Sequence, residues 1–201
     1  MSEISKQSES RLLKFINKNW ILLGILLITF ITRLIYFNIN SSIWYDEGEY
    51  FSMAMRWADD VPFRLGPQRL PFFPFLASIL MRIGFNEAGL RFILVALPSI
   101  GIVFLTYLLG KEMYNKNIGL IASFFMSVFW VIIFNVARFH TDVLAFFFWL
   151  LATYFFWVGY VKKRSNKYII LMGFIFGLAF VTRSATLQIF PIFLVYLLIT
   201  E

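Results

Sequence analysis

The chain has no cysteine. A disulfide framework and thiolate chemistry are therefore excluded. Charge is scarce: 14% of residues are Asp, Glu, Lys or Arg, against 60% that are hydrophobic. Mean hydropathy is +0.77. A soluble domain of 201 residues could not hide that much apolar surface. The net charge of +7 does not mark a nucleic-acid binder, because the basic residues are dispersed between apolar runs. No internal repeat and no low-complexity linker divides the chain. It reads as a cytoplasmic tail, residues 1–19, and one membrane domain, residues 20–201.

Apolar runs set the architecture. Trp20–Phe37 is the first. Arg91–Leu109, Ile118–Val136 and Val143–Val161 follow, each 19 residues long, about the length that crosses ~30 Å of hydrocarbon. Tyr168–Ile199 is apolar for 32 residues but broken by Thr182-Arg183-Ser184. That pattern predicts two short helices, Tyr168–Val181 and Ala185–Ile199, turning at Arg183. One tilted helix with a buried, paired Arg183 is the alternative. The first run is long, carries Arg33 and lacks a small-x-small cleavage pattern, so it reads as a signal anchor and not a cleaved leader. The expectation is an all-α polytopic membrane protein with about six transmembrane helices.

Between the first two runs lies a large loop, residues 38–90. Its Glu47–Ala58 stretch places Tyr50, Met53, Ala54 and Trp57 on one helical face, which predicts a helix lying along the membrane interface. Pro62, Pro67, Pro71 and Pro74 punctuate an irregular stretch. Phe72–Ile83 is apolar but short, so an interfacial or re-entrant helix is expected.

Lysine is missing from one side of this arrangement. All eight lysines fall in the N-terminal tail and two short loops, which the positive-inside rule puts in the cytoplasm. Eight of ten arginines (Arg33, Arg56, Arg64, Arg69, Arg82, Arg91, Arg138, Arg183) fall on or near the opposite side. Arginine recognises phosphate with a bidentate fork and stays charged when partly buried. An external face with arginine and no lysine suggests a phosphate or pyrophosphate ligand. Snorkelling to lipid headgroups explains any single one equally well.

Acids are few, 11 in all, yet Asp46, Glu47 and Glu49 fall within four positions. Carboxylates at a membrane exit cost desolvation unless they are hydrated, paired or used. A second polar group, Arg138, His140 and Asp142, occupies a loop too short to leave the bilayer surface. With Arg183 these residues share the external side and can converge on one cleft. Each also has a simpler reading. Asp46 with Glu49 fits an acidic N-cap with Glu three residues on. Asp142 opens a helix, where the dipole favours an acid. His140, the only histidine, fits an ordinary loop position.

The stretch Tyr45-Asp46-Glu47-Gly48-Glu49-Tyr50 after the first run resembles the Asp-Glu motif of the GT-C membrane glycosyltransferases. Protein O-mannosyltransferases and aminoarabinose transferases belong to that class. Arg69-Leu70-Pro71-Phe72-Phe73-Pro74 is similar to the family's Pro-rich stretch, with the usual Pro-Pro pair replaced. Glu87-Ala88-Gly89-Leu90-Arg91 resembles the start of the second span. Asp142 stands where the family often has an acid. Gly173 to Arg183 resembles a Gly-x-x-x-Gly-Leu-Ala helix ending in Thr-Lys or Thr-Arg.

The resemblance implies transfer of a sugar, hexosyl or pentosyl, from a polyprenyl-phosphate donor to a hydroxyl on a protein, lipid or glycan. Transfer takes place outside the cytoplasm, with inversion. An attacking hydroxyl must lose its proton, so Asp46 is expected as general base, with Glu47 orienting the acceptor or sharing the role. The departing polyprenyl phosphate needs charge stabilisation, expected from Arg183, Arg138 and Arg69 in falling order. Asp142 and His140 complete the expected substrate-binding set. Two acids on separate loops can bind a hard divalent cation, and oligosaccharyltransferase relatives use one. No obvious Asp-x-Asp or Glu-x-Asp pair stands in the second external loop, so no cofactor is expected to be required. Family members carry more spans and often an external C-terminal domain, so the chain looks like the N-terminal half of such an enzyme. The competing classes are half of a transporter, where intramembrane charges and paired short helices also occur, and a non-catalytic membrane subunit.

Overall fold

The computed structural model describes residues 3–39, 43–62, 69–163 and 165–200. Arg64 and Pro67 lie outside them. Among the described residues every regular element is helical, as an all-α membrane protein requires. In chain order these are α1 (Glu3–Phe37), α2 (Tyr45–Ala58), α3 (Phe72–Arg82), α4 (Glu87–Met113), α5 (Lys116–Ser127), α6 (Trp130–Val136), α7 (Thr141–Lys162), α8 (Asn166–Thr182) and α9 (Ser184–Ile199).

Three stretches are long and apolar enough to cross a membrane: Asn17–Phe37 within α1, α4 and α7. The pair α5 and α6, bent by 51°, makes a fourth if it is one broken span. The last two helices are apolar but shorter than a crossing. By length and composition the described residues thus hold three or four of the six spans expected. The outer faces carry the signature of a lipid-facing surface, with Leu27 59%, Phe125 66% and Ile170 76% exposed.

The breaks have local causes. At the end of α5, Ser123 and Ser127 turn their hydroxyls back onto the carbonyls of Leu120 and Phe124, at 2.9 and 2.6 Å. Such bonds compete with the helical ladder and bend it. Arg33 of α1, 1% exposed, donates to the carbonyl of Ser127 at the same break. The break before α9 falls where the sequence places it. Thr182 closes α8 by donating to Leu178 O at 2.6 Å. Arg183 is then extended at φ −154°, and its carbonyl accepts from the Thr186 hydroxyl at 2.8 Å, inside the 3-10 turn that opens α9.

Helices α4 and α5 approach to backbone contact. A Cβ at Gly119 would stand 2.6 Å from Tyr107 O, and one at Gly110 would stand 2.8 Å from Gly119 Cα. No larger residue fits at either position without separating the pair.

Helix α2 corrects one expectation. Tyr50, Met53 and Ala54 do not lie against lipid: they are 5%, 1% and 0% exposed. They join one core with Phe73 and Ala77 of α3, Leu90 and Val95 of α4, and Phe139. Only Trp57 of that face is half-buried. Helices α2 and α3 are therefore packed onto the bundle and carry their polar residues with them.

The two ends of the molecule differ in charge chemistry. Lys116 donates to Lys18 O at 2.7 Å, and Lys162 pairs with Glu112 at 2.8 Å, so the lysine-bearing segments gather at one end. The acids and arginines of α2, the α6–α7 turn and the α8–α9 break gather at the other.

Candidate functional site

Four segments meet at that second end: the first turns of α2, the chain before α3, the start of α7 and the break between α8 and α9. They enclose a cavity of about 220 Å³ lined by Asp46, Tyr50, Arg69, Leu70, His140, Thr141, Thr182, Arg183, Ser184 and Ala185.

Helix α2 presents its side chains to two places. Asp46, Glu49 and Tyr50 stand at i, i+3 and i+4, on one face. Arg69 answers that face: it pairs with Asp46 and donates from Nε to Glu49 at 2.7 Å. The Arg69 guanidinium also lies 5.3 Å from the Tyr50 ring centroid. Glu47, one position from Asp46, points about 100° away around the helix. The N-cap is Trp44 and not Asp46, and Glu47 makes the backward capping bond that the sequence offered to Glu49, since its Oε2 accepts the Trp44 N–H at 2.9 Å. Asp46 is thereby released from capping and turned to Arg69 and His140.

His140 precedes α7 in extended conformation, φ −135°. Its Nε2 stands 3.6 Å from Asp46 Oδ2, and its Nδ1 is in contact with Asp142. Asp142 reaches the other way to Arg183 Nη1, at 2.5 Å. The result is one chain of alternating acidic and basic side chains, Glu49, Arg69, Asp46, His140, Asp142, Arg183, running along the cavity. Contact with Arg69 holds the Asp46 carboxyl below the usual carboxylate range, and His140 adds to this, while partial burial opposes it. Asp46 and Glu49 in turn push the Arg69 guanidinium up. Asp46 remains 41% exposed, so the pairing does not seal it from a ligand.

Of the residues expected from the sequence, Asp46, Arg69, His140 and Arg183 line the cavity, and Asp142 bridges two of them. Glu47 and Arg138 do not line it. They face each other at 3.6 Å with side chains 7% and 5% exposed.

The arginine excess on this side has a mixed origin. Arg33 and Arg91 are buried on carbonyls, of Ser127 and Ala137. Arg138 is buried on Glu47, and Arg82 pairs with Asp60. Arg69 and Arg183 remain as the cationic wall of the cavity. Sequence reasoning did not single out Tyr50, Thr141, Thr182 or Ser184 as site residues. Tyr50 carried a signal, one helical turn from Asp46; the others carried none beyond adjacency to Asp142 and Arg183.

A family model for dolichyl-phosphate-mannose-protein mannosyltransferases matches residues 65–201, more than half of the chain. The match takes in Arg69, Arg138, His140, Asp142 and Arg183, and begins after Asp46 and Glu47. No curated protein matches the chain. With its apolar helices and this match, the chain belongs to the dolichyl-phosphate-mannose-protein mannosyltransferase family, membrane glycosyltransferases of the GT-C kind.

Proposed function

We propose that the cavity transfers a hexose or pentose from a polyprenyl-phosphate sugar to an acceptor hydroxyl of a protein, lipid or glycan, with inversion, on the extracytoplasmic side. The observation that carries this reading is the place of Asp46: a part-exposed carboxyl group on the wall of a cavity that two arginines also line.

The acceptor oxygen attacks the anomeric carbon as Asp46 takes its proton. The bond from that carbon to the phosphate oxygen breaks, and the polyprenyl phosphate leaves with the electron pair. A phosphate is a good leaving group, so cations suffice to stabilise it. Arg183 and Arg69 supply them. A phosphate bound by Arg69 competes with Asp46 and Glu49 for the same guanidinium. Donor binding thus loosens Asp46 from its partner and raises its basicity where the acceptor arrives. His140, held between Asp46 and Asp142, keeps the Asp46 carboxylate directed into the cavity. Glu47 and Arg138, which do not line the cavity, take no direct part in these steps. No metal is required in this scheme, because Asp46 and Asp142 both engage cations of the protein. Transfer that persists in a chelator is the corresponding result, and the wider class makes a divalent cation the alternative.

Orientation follows from the lysine end, which the positive-inside rule assigns to the cytoplasm. The test is transfer from a radiolabelled polyprenyl-phosphate sugar by membranes carrying the chain, beside Arg183→Ala. The reading expects transfer by the native chain and a donor KM raised at least about tenfold in the variant, the cost of one charge-assisted bond. Label transfer with an unchanged donor KM would remove Arg183 from the phosphate site. No transfer by either would remove the enzymatic reading of this chain on its own.

A further inference from the structure

Glu47 and Arg138 form a second polar centre that the proposed chemistry does not touch. It sits directly behind the first. Glu47 adjoins Asp46, and Arg138 precedes His140 by two residues. The pair is nearly sealed, with side chains 7% and 5% exposed. The Arg138 guanidinium lies against the Trp44 ring, 3.8 Å from its centroid, and 5.3 Å from that of Phe134. Trp44 also packs on Phe134 at 5.8 Å, while its N–H is held by Glu47. The turn that carries Arg138 is fixed from a third element, since Arg91 of α4 donates to Ala137 O at 3.0 Å.

This arrangement does something the apolar packing of α2 cannot. Tyr50, Met53 and Ala54 fix the middle of the helix against Phe73 and Phe139. Apolar contacts are non-directional and leave rotation and axial slip of the first turn open. A buried ion pair ties two particular groups together, and breaking one side leaves an uncompensated charge that the site must relax to hydrate. Resting on the proposed function, we infer that Glu47 and Arg138 are positioning residues: their pair sets the register of Asp46 against His140, and neither touches substrate. The inference separates two adjacent acids by role, Asp46 for the proton and Glu47 for the place of Asp46.

Absence of cysteine allows a test that does not depend on activity. Asp46→Cys and His140→Cys are introduced together into the full chain in membranes. A short bifunctional thiol reagent is then applied, and the rate of intramolecular cross-linking is followed. Backgrounds are native, Glu47→Gln, Arg138→Gln, and both. Registry by the pair predicts cross-linking slowed severalfold in each single background and recovered in the double one, where two neutral amides replace the pair. In chains that keep Asp46, the same singles lower kcat by roughly 10–100-fold with donor KM unchanged, as misplacement of a reacting group does, and the double variant regains most of it. Equal cross-linking in all four backgrounds would overturn the registry role. Recovery of cross-linking without recovery of kcat would assign Glu47 to the substrate and overturn the separation of roles. A native chain that cross-links as predicted but transfers no sugar would count against the proposed function and leave the registry standing.

Discussion

In the proposed reaction Asp46 is the residue on which the chemistry turns, and its neighbours set the pH at which it would work. Arg69 depresses its pKa, so the Asp46–Arg69 contact stabilises the fold above the unfolded value of about 3.9 and is lost as pH falls through the depressed folded value. The acid limb of kcat/KM should therefore lie below pH ~3.9, since that limb reports the free enzyme's base. Arg69→Gln removes the principal cause of the depression and should move the limb upward. A limb that stays in place would show that another group titrates there.

The residue scale is also where sequence reading went furthest and failed most sharply. It brought Asp46, Arg69, His140, Asp142 and Arg183 to one side, and the fold joins them in one charge chain. It set Asp46 ahead of Glu47 as the base but left Glu47 a share of the role, because adjacent acids on a helix diverge by about 100° and the first turn was not fixed by any sequence signal. It could not tell a buried arginine from one that lines the cavity: it kept Arg138 beside Arg183 for the phosphate, and Arg138 proves to be 4% exposed on Trp44 and Glu47.

At the scale of elements, the long apolar runs and the short helices expected at Glu47–Ala58 and Phe72–Ile83 were legible, and what the faces of the short helices pack on was not. The runs opening at Trp20, Arg91 and Val143 all became helices long and apolar enough to span, because ~20 apolar residues have few alternatives to a crossing. The face of α2 was misplaced because hydrophobic periodicity gives a direction and not a partner; protein core and lipid satisfy it equally. Its site consequence is large, since packing of Met53 and Ala54 on the bundle brings Asp46 to His140. The run through Ile118–Val136 broke because serine back-bonds and Arg33 act at Ser127, features that no run-length count weighs. Where α4 and α5 touch, Gly119→Val should cost about 1–3 kcal/mol by overpacking. A lowered thermal midpoint in detergent checks this, with Gly173→Ala as the control, since nothing lies within 4 Å of a Cβ there.

Over the whole molecule, polarity is sorted end to end. Lysines hold one end through Lys18, Lys116 and Lys162, while the charge chain and cavity occupy the other. A transporter half would place its ionisable groups at mid-membrane; here the charge chain closes the top of the bundle. The cysteine-free background makes topology direct to read. A membrane-impermeant maleimide applied to intact cells should label Asp60→Cys and spare Lys116→Cys until the cells are opened. The reverse pattern would put the cavity in the cytoplasm.

The central claim is that Asp46 takes the proton, and Asp46→Asn tests it with the least change of shape. Equal amounts of native and variant chain in membranes are given a radiolabelled polyprenyl-phosphate sugar and acceptor, and the initial rate of transfer is measured. Loss of a positioned general base predicts a fall of at least ~100-fold in kcat with donor KM little changed. Transfer at the native rate by the Asn variant would contradict the assignment and remove Asp46 from the reaction.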